Sequence, residues 1–288
     1  MIQPEITHHY AHINGIRFHY AKAGNGARLV LLLHGFPDFW YSWHKLLGPL
    51  GEHFTVVAPD MRGYNLTDKP DWGYETDVLV QDVVGFIDEL GFEHAVVVGH
   101  DWGGAIAWAT ALAYPHRVER LVVLNCPHPL VFEAELRHNP AQLRKLWYMG
   151  FFQIPWLPET LLLHANLDWV VEQTFRGDVY DKTAFSDDDL RAYKTALAQP
   201  GAIKCGLNYY RAAARHGLRA MTRDSDGLIT MPTLLIWGEG DRYLGKELIE
   251  PHARYVSDLR IHRIPRCSHW VQHERPAEVL EVMLDFLG

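Results

Sequence analysis

An aspartate, Asp101, stands at the centre of the segment VVVGHDWGG (Val96–Gly104), at a kind of bend where a nucleophilic serine is usual. The β-branched run before it predicts a strand, and the segment AIAWATALAYP after it predicts a helix. Gly99 and Gly103 allow the tight turn that presents one side chain at the carboxyl end of a sheet. The pattern makes Asp101 a candidate nucleophile, and the alternative is that Asp101 only caps the following helix.

A carboxylate nucleophile has a chemical consequence that a serine does not share. A serine that attacked a saturated carbon would form an ether, which a water activated by histidine cannot hydrolyse. A carboxylate that attacks the same carbon forms an ester, whose carbonyl remains open to water. An aspartate at this bend therefore predicts displacement at an sp³ carbon, followed by hydrolysis of the alkyl-enzyme.

The segment LLLHGFPDF supplies the second part of such a site, because a strand there runs into the turn His34–Pro37. In a strand–turn–helix site, one backbone N–H comes from the residue after the nucleophile and a second comes from a loop of this kind. The N–H groups of Trp102 and Phe36 would therefore form an oxyanion hole. An ordinary tight turn is the alternative reading of this segment.

A base and its orienting acid are expected after the nucleophile, in the order acid and then histidine. Asp241 ends the strand-like segment LLIWGEGD, with Glu239 as the fallback acid, and His269 lies in a loop before the last predicted helix. His262 falls within a strand pattern and His273 borders a helix start, so neither suits the role as well as His269.

The elements that must position these residues alternate between β-like and α-like segments in the first 125 residues. Short apolar runs such as RLVLLL, FTVVAP and AVVV are typical of parallel strands covered on both faces. From about Pro127 to Gly227 strand-like runs disappear and aromatic-rich helical segments dominate; the alternation resumes at MPTLLIWGEGD. We predict an α/β fold with a doubly wound, mostly parallel sheet (core domain 1–127 and 228–288) and a helical cap domain (128–227) inserted after the sixth strand.

Composition restricts the functional classes. The 288 residues carry a formal net charge of −8 and no long basic cluster, so no nucleic-acid partner is expected. The apolar runs are too short to span a bilayer, so no membrane association is expected either. Three scattered cysteines, Cys126, Cys205 and Cys267, fit a reducing compartment, and we predict a cytoplasmic protein. His8, His9 and His12 show no metal-site spacing and are expected to be exposed strand residues.

Taken together, the segments HGFPDFWYSW, RGYNLTDKP, GHDWGG, WGEGD and RCSHW resemble those of α/β-hydrolase-fold enzymes of the epoxide hydrolase group. The resemblance covers nearly the whole chain, and haloalkane and haloacetate dehalogenases are related groups. It implies Asp101 as nucleophile, His269 as base and Asp241 as the acid that orients His269. It implies no cofactor and no metal.

The leaving group separates these related groups. The oxygen of an opened epoxide needs a proton, which a neutral tyrosine can supply. In epoxide hydrolases two cap tyrosines hold this oxygen. The NYYR segment matches one of them at Tyr210. A looser WY…FxQ match places the second at Tyr148, and Phe151 occupies the alternative family position for that tyrosine. The resemblance further implies a substrate pocket lined by His34, Pro37, Trp102, Phe151 and Trp270.

Two alternatives remain open. A haloalkane dehalogenase would use the same nucleophile, but Phe36 offers no side-chain donor for a halide; haloacetate dehalogenases carry arginines where this chain has Trp102 and Ala105. A sensor protein could keep the pocket without turnover. We predict an epoxide hydrolase that forms a vicinal diol from an apolar or aromatic epoxide and water, as a monomer or homodimer.

Overall fold

A computed structural model describes residues 4–164, 167–222 and 226–288 of the chain. Its centre is one eight-stranded sheet, in the strand order β1-β2-β4-β3-β5-β6-β7-β8. β1 pairs antiparallel with β2, and β2 pairs antiparallel with β4. All other neighbouring strands in the sheet pair parallel. The strands are β1 (Thr7–Ile13), β2 (Ile16–Ala23), β3 (Leu29–Leu33), β4 (Thr55–Pro59), β5 (Ala95–His100), β6 (Val118–Leu124), β7 (Thr233–Gly238) and β8 (Leu259–Ile264).

The helices cover both faces of this sheet and fill the region between β6 and β7. They are α1 (His44–Gly51), α2 (Thr76–Glu89), α3 (Trp102–Ala113), α4 (Pro129–His138), α5 (Pro140–Lys145), α6 (Trp147–Phe151), α7 (Leu157–His164), α8 (Leu167–Thr174), α9 (Asp187–Leu197), α10 (Ala202–His216), α11 (Val271–Glu274) and α12 (Pro276–Leu287). Short 3-10 helices cover Trp40–Trp43, Pro115–Arg117, Lys182–Ala184, Leu218–Thr222, Lys246–Leu248 and Glu250–Arg254.

The central strands are apolar along their whole length because both faces of the sheet are buried. Every residue of β3, β4, β5 and β7 is buried. Along β3 successive side chains alternate between two cores: Leu29, Leu31 and Leu33 join one, and Val30 and Leu32 join the other. The predicted fold class, a mostly parallel doubly wound sheet, is confirmed.

The segment between β6 and β7 is helical, as predicted. Its described residues form α4 to α10 and contain no strand. Aromatic side chains of this insertion, among them Phe175 and Tyr193, share a third hydrophobic cluster with Phe39 and Trp270 of the sheet-bearing part. The insertion is therefore packed onto the loops that leave the carboxyl ends of the strands.

The histidines near the start of the chain lie on β1, and His8, His9 and His12 are exposed there, as predicted. None of the described helices is long and apolar enough to cross a membrane.

A buried ion pair joins the loop after β4 to α2. Arg62 Nε and Nη2 donate to the two carboxylate oxygens of Asp82, each at 2.8 Å, and the Arg62 side chain is completely buried. Asn14 Nδ2 donates to the same carboxylate at 2.9 Å. Loss of the carboxylate would leave a guanidinium buried without a counter-charge, which is far more costly than loss of an exposed pair.

We expect Asp82→Ala to lower the free energy of unfolding by about 3–5 kcal/mol, measured by urea denaturation. Asp71, whose pair with Lys204 is exposed, supplies the matched control: Asp71→Ala should cost less than about 1 kcal/mol. Equal losses in the two variants would contradict this account of the pair.

Candidate active site

Asp101 lies at the turn between β5 and α3, as predicted. Its backbone has φ +52° and ψ −122°, a conformation that side-chain-bearing residues rarely adopt. Its side chain makes no capping hydrogen bond to α3, so the capping alternative does not describe the structure. The positive-φ turn instead places the carboxylate against the loop that follows β3.

Three glycines allow this turn to pack. A Cβ atom at Gly99 would collide with the backbone of Gly103, and one at Gly103 would collide with the backbone of Leu33. A Cβ atom at Gly35 would collide with the side chain of Asp101 itself. The loop after β3 and the turn after β5 are therefore in direct contact, which brings the predicted oxyanion loop to Asp101.

That loop contributes a hydrogen bond to the carboxylate. Phe36 N donates to Asp101 Oδ1 at 2.8 Å. Trp102 is the first residue of α3, where a backbone N–H has no acceptor within the helix. Asp101 Oδ1 thus lies in a region of positive backbone potential, at the start of a helix dipole.

His269 stands between two carboxylates. Its Nδ1 donates to Asp241 Oδ2 at 2.6 Å, and its Nε2 lies 3.6 Å from Asp101 Oδ2. Burial by itself would lower the pKa of His269, but Asp241 and Asp101 outweigh burial and raise it to about 10. Burial likewise opposes ionisation of Asp101, yet the hydrogen bond and charge of His269 lower its pKa. The three side chains form an anion–cation–anion series.

Asp241 is held by four donors. Oδ1 accepts from Tyr243 N at 2.7 Å and from Leu244 N at 2.9 Å. Oδ2 accepts from His269 and also from Asn125 Nδ2, at 2.7 Å. These four hydrogen bonds fix the position of the carboxylate beside His269. The fallback acid is placed elsewhere: Glu239 Oε1 lies 3.7 Å from Arg263 Nη1.

Asn125 and His100 were not recognised from the sequence. Asn125 directly follows β6, is completely buried, and also accepts from Gly238 N at 2.9 Å. His100 Nε2 lies 2.9 Å from the carbonyl oxygen of His269; burial lowers the pKa of His100 to about 3, so the neutral ring donates this bond. The signal for Asn125 was its position, a polar residue at the carboxyl end of the strand beside β7.

Two tyrosines of the insertion face the same cavity. Tyr210 lies on α10 and Tyr148 on α6, with ring centroids 6.1 Å apart. The Tyr210 ring packs edge-on against Trp102 at 5.0 Å and Phe36 at 5.5 Å. Burial, reinforced by the charge of Asp101, raises the pKa of both tyrosines well above the usual value, so both hydroxyls keep their protons. The structure therefore brings two neutral tyrosines to the cavities that Asp101 also lines.

The main cavity has a volume of about 540 Å³ and is mostly apolar. A smaller cavity of about 80 Å³ also borders Asp101, Tyr148 and Tyr210. The larger one is lined by Phe36, Pro37, Asp101, Arg144, Lys145, Trp147, Tyr148, Phe152, Leu162, Leu167, Val170, Thr174, Leu197, Ile203, Tyr210, Arg242, Tyr243, His269 and Trp270.

Of the residues predicted to line the pocket, His34 and Phe151 line neither cavity. His34 lines neither cavity, because its ring is completely buried and Nε2 accepts from Met61 N at 2.9 Å. Phe152, the residue directly after α6, is buried and lines the larger cavity in place of Phe151. Trp102 lines only the smaller cavity. Pro37 and Trp270 line the larger cavity.

Comparisons with known proteins agree with this geometry. The α/β hydrolase fold family matches residues 28–276. The chain is 40% identical to human epoxide hydrolase 4, over 98% of this chain and 79% of the relative. It is 33% identical to the soluble epoxide hydrolase of Corynebacterium sp. strain C12, over 99% and 98% of the two chains. A crystal structure of Bacillus megaterium epoxide hydrolase with an inhibitor superposes with a TM-score of 0.86, at 33% identity over 97% and 99% of the chains.

The charge series predicts how His269 titrates. Asp101→Asn removes a negative charge beside Nε2, so the pKa of His269 should fall by about one to three units from its raised value. An NMR titration of the imidazole would measure this shift, with His269→Gln identifying the resonance. An unchanged pKa would show that Asp101 does not act on His269.

Proposed function

The chain is a hydrolase that belongs to the α/β-hydrolase fold family, and we propose that it is an epoxide hydrolase acting through an ester on Asp101. The observation that carries the proposal is a carboxylate, an imidazole and two neutral tyrosines around one cavity. A carboxylate at this bend suits attack on a saturated carbon, and the tyrosines suit protonation of an oxygen leaving group.

In the first step, Asp101 attacks one epoxide carbon and the bond from that carbon to oxygen breaks. Oδ1 is engaged by Phe36 N, so Oδ2, which faces His269, is the oxygen available for attack. The oxygen of the opened ring develops negative charge and takes a proton from Tyr210 or Tyr148. The product of this step is a hydroxyalkyl ester of Asp101 and a tyrosinate.

Ester formation also prepares the base. It neutralises Asp101, which removes one of the two charges that raise the pKa of His269. The imidazolium then loses its proton more easily, and that proton restores the tyrosine. His269 is left neutral beside the ester, as a general base must be.

In the second step, His269 takes a proton from water, which attacks Cγ of Asp101. Negative charge collects on Oδ1, where Phe36 N already donates and where the N–H of Trp102 would add a second donor. Collapse breaks the bond from Cγ to the ester oxygen, which takes the proton of the new hydroxyl on Cγ and leaves as the diol, so that Asp101 is again a carboxylate. Asp241 stabilises the imidazolium during the attack. The sum of the steps is epoxide plus water to vicinal diol.

The lining of the cavity supports an apolar or aromatic substrate. Phe152, Leu162 and Trp270 are among the residues that surround the larger cavity, and most of its surface is apolar. Since much of this lining comes from residues 128–227, we propose that this segment is a cap domain on a core of residues 1–127 and 228–288.

We expect His269→Gln to form the ester but not to hydrolyse it. After incubation with styrene oxide, the intact protein should gain the mass of one epoxide, and peptide mapping should place the adduct on Asp101. Asp101→Asn is the matched control and should gain no mass.

The same experiment separates the alternatives. An adduct formed from haloalkanes but not from epoxides would favour a dehalogenase. Reversible epoxide binding, with no adduct in His269→Gln and no turnover in the unaltered chain, would favour a sensor.

The neighbouring tyrosines on α10 test proton donation. Tyr210→Phe should slow ester formation by about 10²–10⁴-fold and leave ester hydrolysis nearly unchanged, because only the first step needs the proton. Tyr209→Phe is the control, since Tyr209 OH donates to Arg62 O and not toward the cavity. Rapid-quench measurement of both steps would reveal the difference; an equal loss in both steps would contradict the role of Tyr210.

A further inference from the structure

One segment of the insertion, residues 174–181, packs on both loops that carry the partners of Asp101. On the His269 loop, Trp270 Nε1 donates to Thr174 O at 3.0 Å, and Trp270 packs against Phe175 with ring centroids 4.8 Å apart. In α11, which follows that loop, Glu274 Oε1 accepts from Tyr180 N at 2.9 Å and from Asp181 N at 3.1 Å.

The Asp241 loop is covered by the same segment. The ring of Tyr180 lies directly against Gly240, where an added Cβ atom would collide with it. Arg242 Nε lies 3.1 Å from Asp178 Oδ1. Residues 174–181 therefore span the acid and the base, with Asp178 between the two sets of contacts.

Asp178 is unusual for a carboxylate. Its side chain is fully buried, and neither oxygen has a hydrogen-bond partner of good geometry among the described residues. The side chain of Arg242 is 65% exposed, so water weakens its attraction for the carboxylate. A buried carboxylate with one partly solvated cation beside it is costly to keep ionised, so the other charges around Asp178 influence its protonation state.

The groups that act on Asp178 belong to the catalytic loops. His269 and Arg242 favour its ionised form, whereas Asp241 and Glu274 oppose it. Tyr243, from the same loop as Asp241, is neutral, and Asp178 helps to raise its pKa. Burial is the strongest influence and raises the pKa of Asp178 to about 6, so the carboxylate is ionised at and above neutral pH.

We propose that Asp178 is a positioning residue for His269: a carboxylate from the insertion that stabilises the imidazolium formed when His269 takes a proton from water. The proposal rests on the proposed function, in which His269 is the base for ester hydrolysis. Asp178 acts through the charge of His269 and does not touch the substrate. Because it belongs to the insertion, the strength of the base depends on the insertion being seated on the core.

Asp178→Asn tests the proposal with little change of shape. A nearby negative charge favours the protonated imidazole, so its loss should move the acidic limb of ester hydrolysis to lower pH, by about half to one unit. The weaker base should also lower the plateau rate at pH 8 by about two- to threefold. Single-turnover experiments with styrene oxide, quenched and weighed as intact protein, give the decay of the ester at each pH.

Two variants complete the experiment. Asp181→Asn removes the same charge from an exposed position three residues away and should leave the limb in place. Asp178→Ser is a smaller neutral replacement and should shift the acidic limb as Asp178→Asn does. If Asp178→Asn also lowers the melting temperature, the agreement between the two variants assigns the shift to the lost charge and not to altered packing.

The outcomes distinguish the two proposals. Failure to form any ester in the unaltered protein would overturn the proposed function itself. Ester formation with an unchanged acidic limb in both Asp178 variants would overturn the role of Asp178 alone, as would a lower rate without a shift of the limb. A shift in both Asp178 variants, with none in Asp181→Asn, is the expected result.

Discussion

A negative charge largely shielded from water at Asp101 is the constraint on which the rest of the structure depends. Removing a carboxylate from water is costly unless hydrogen bonds and opposite charge compensate. Here the compensation comes from Phe36 N and from His269, whose own charge is balanced by Asp241. Each of these groups lies on a different loop at the carboxyl edge of the sheet. The parallel order of the strands brings these loops together, and Asp101 can stay ionised only because they meet.

The insertion completes this arrangement from the opposite side. Tyr148 and Tyr210 bring neutral donors to the cavity, while residues 174–181 lie on the loops of Asp241 and His269. The sheet-bearing part thus supplies Asp101, His269 and Asp241, and the insertion supplies two tyrosine hydroxyls and most of the apolar lining. Neither part alone encloses the cavity.

The sequence was sufficient wherever a residue's role follows from its place along one element. Asp101, Asp241 and His269 each follow a strand pattern in the expected order, and the structure brings them together. Asn125 and His100 escaped notice because their roles depend on contacts between residues far apart in the chain. The choice between Phe151 and Phe152 depends on the rotation of α6, a turn-and-a-half helix too short for a hydrophobic pattern to define its inward face. Nothing in the sequence around Asp178 distinguishes it from an exposed acidic residue, and its burial follows only from the packing of the insertion on the core.

The glycine contacts around Asp101 bear on how such a site can diversify. Gly35, Gly99 and Gly103 leave no room for even one methyl group. A site that keeps Asp101 in this position must therefore keep these three glycines as well. Residues such as Leu162, Leu167 and Val170 are free of that restriction, because they face open cavity rather than neighbouring backbone. Mutant libraries that seek new substrates are therefore best confined to the helices of the insertion, where side-chain volume can vary without disturbing the reacting carboxylate.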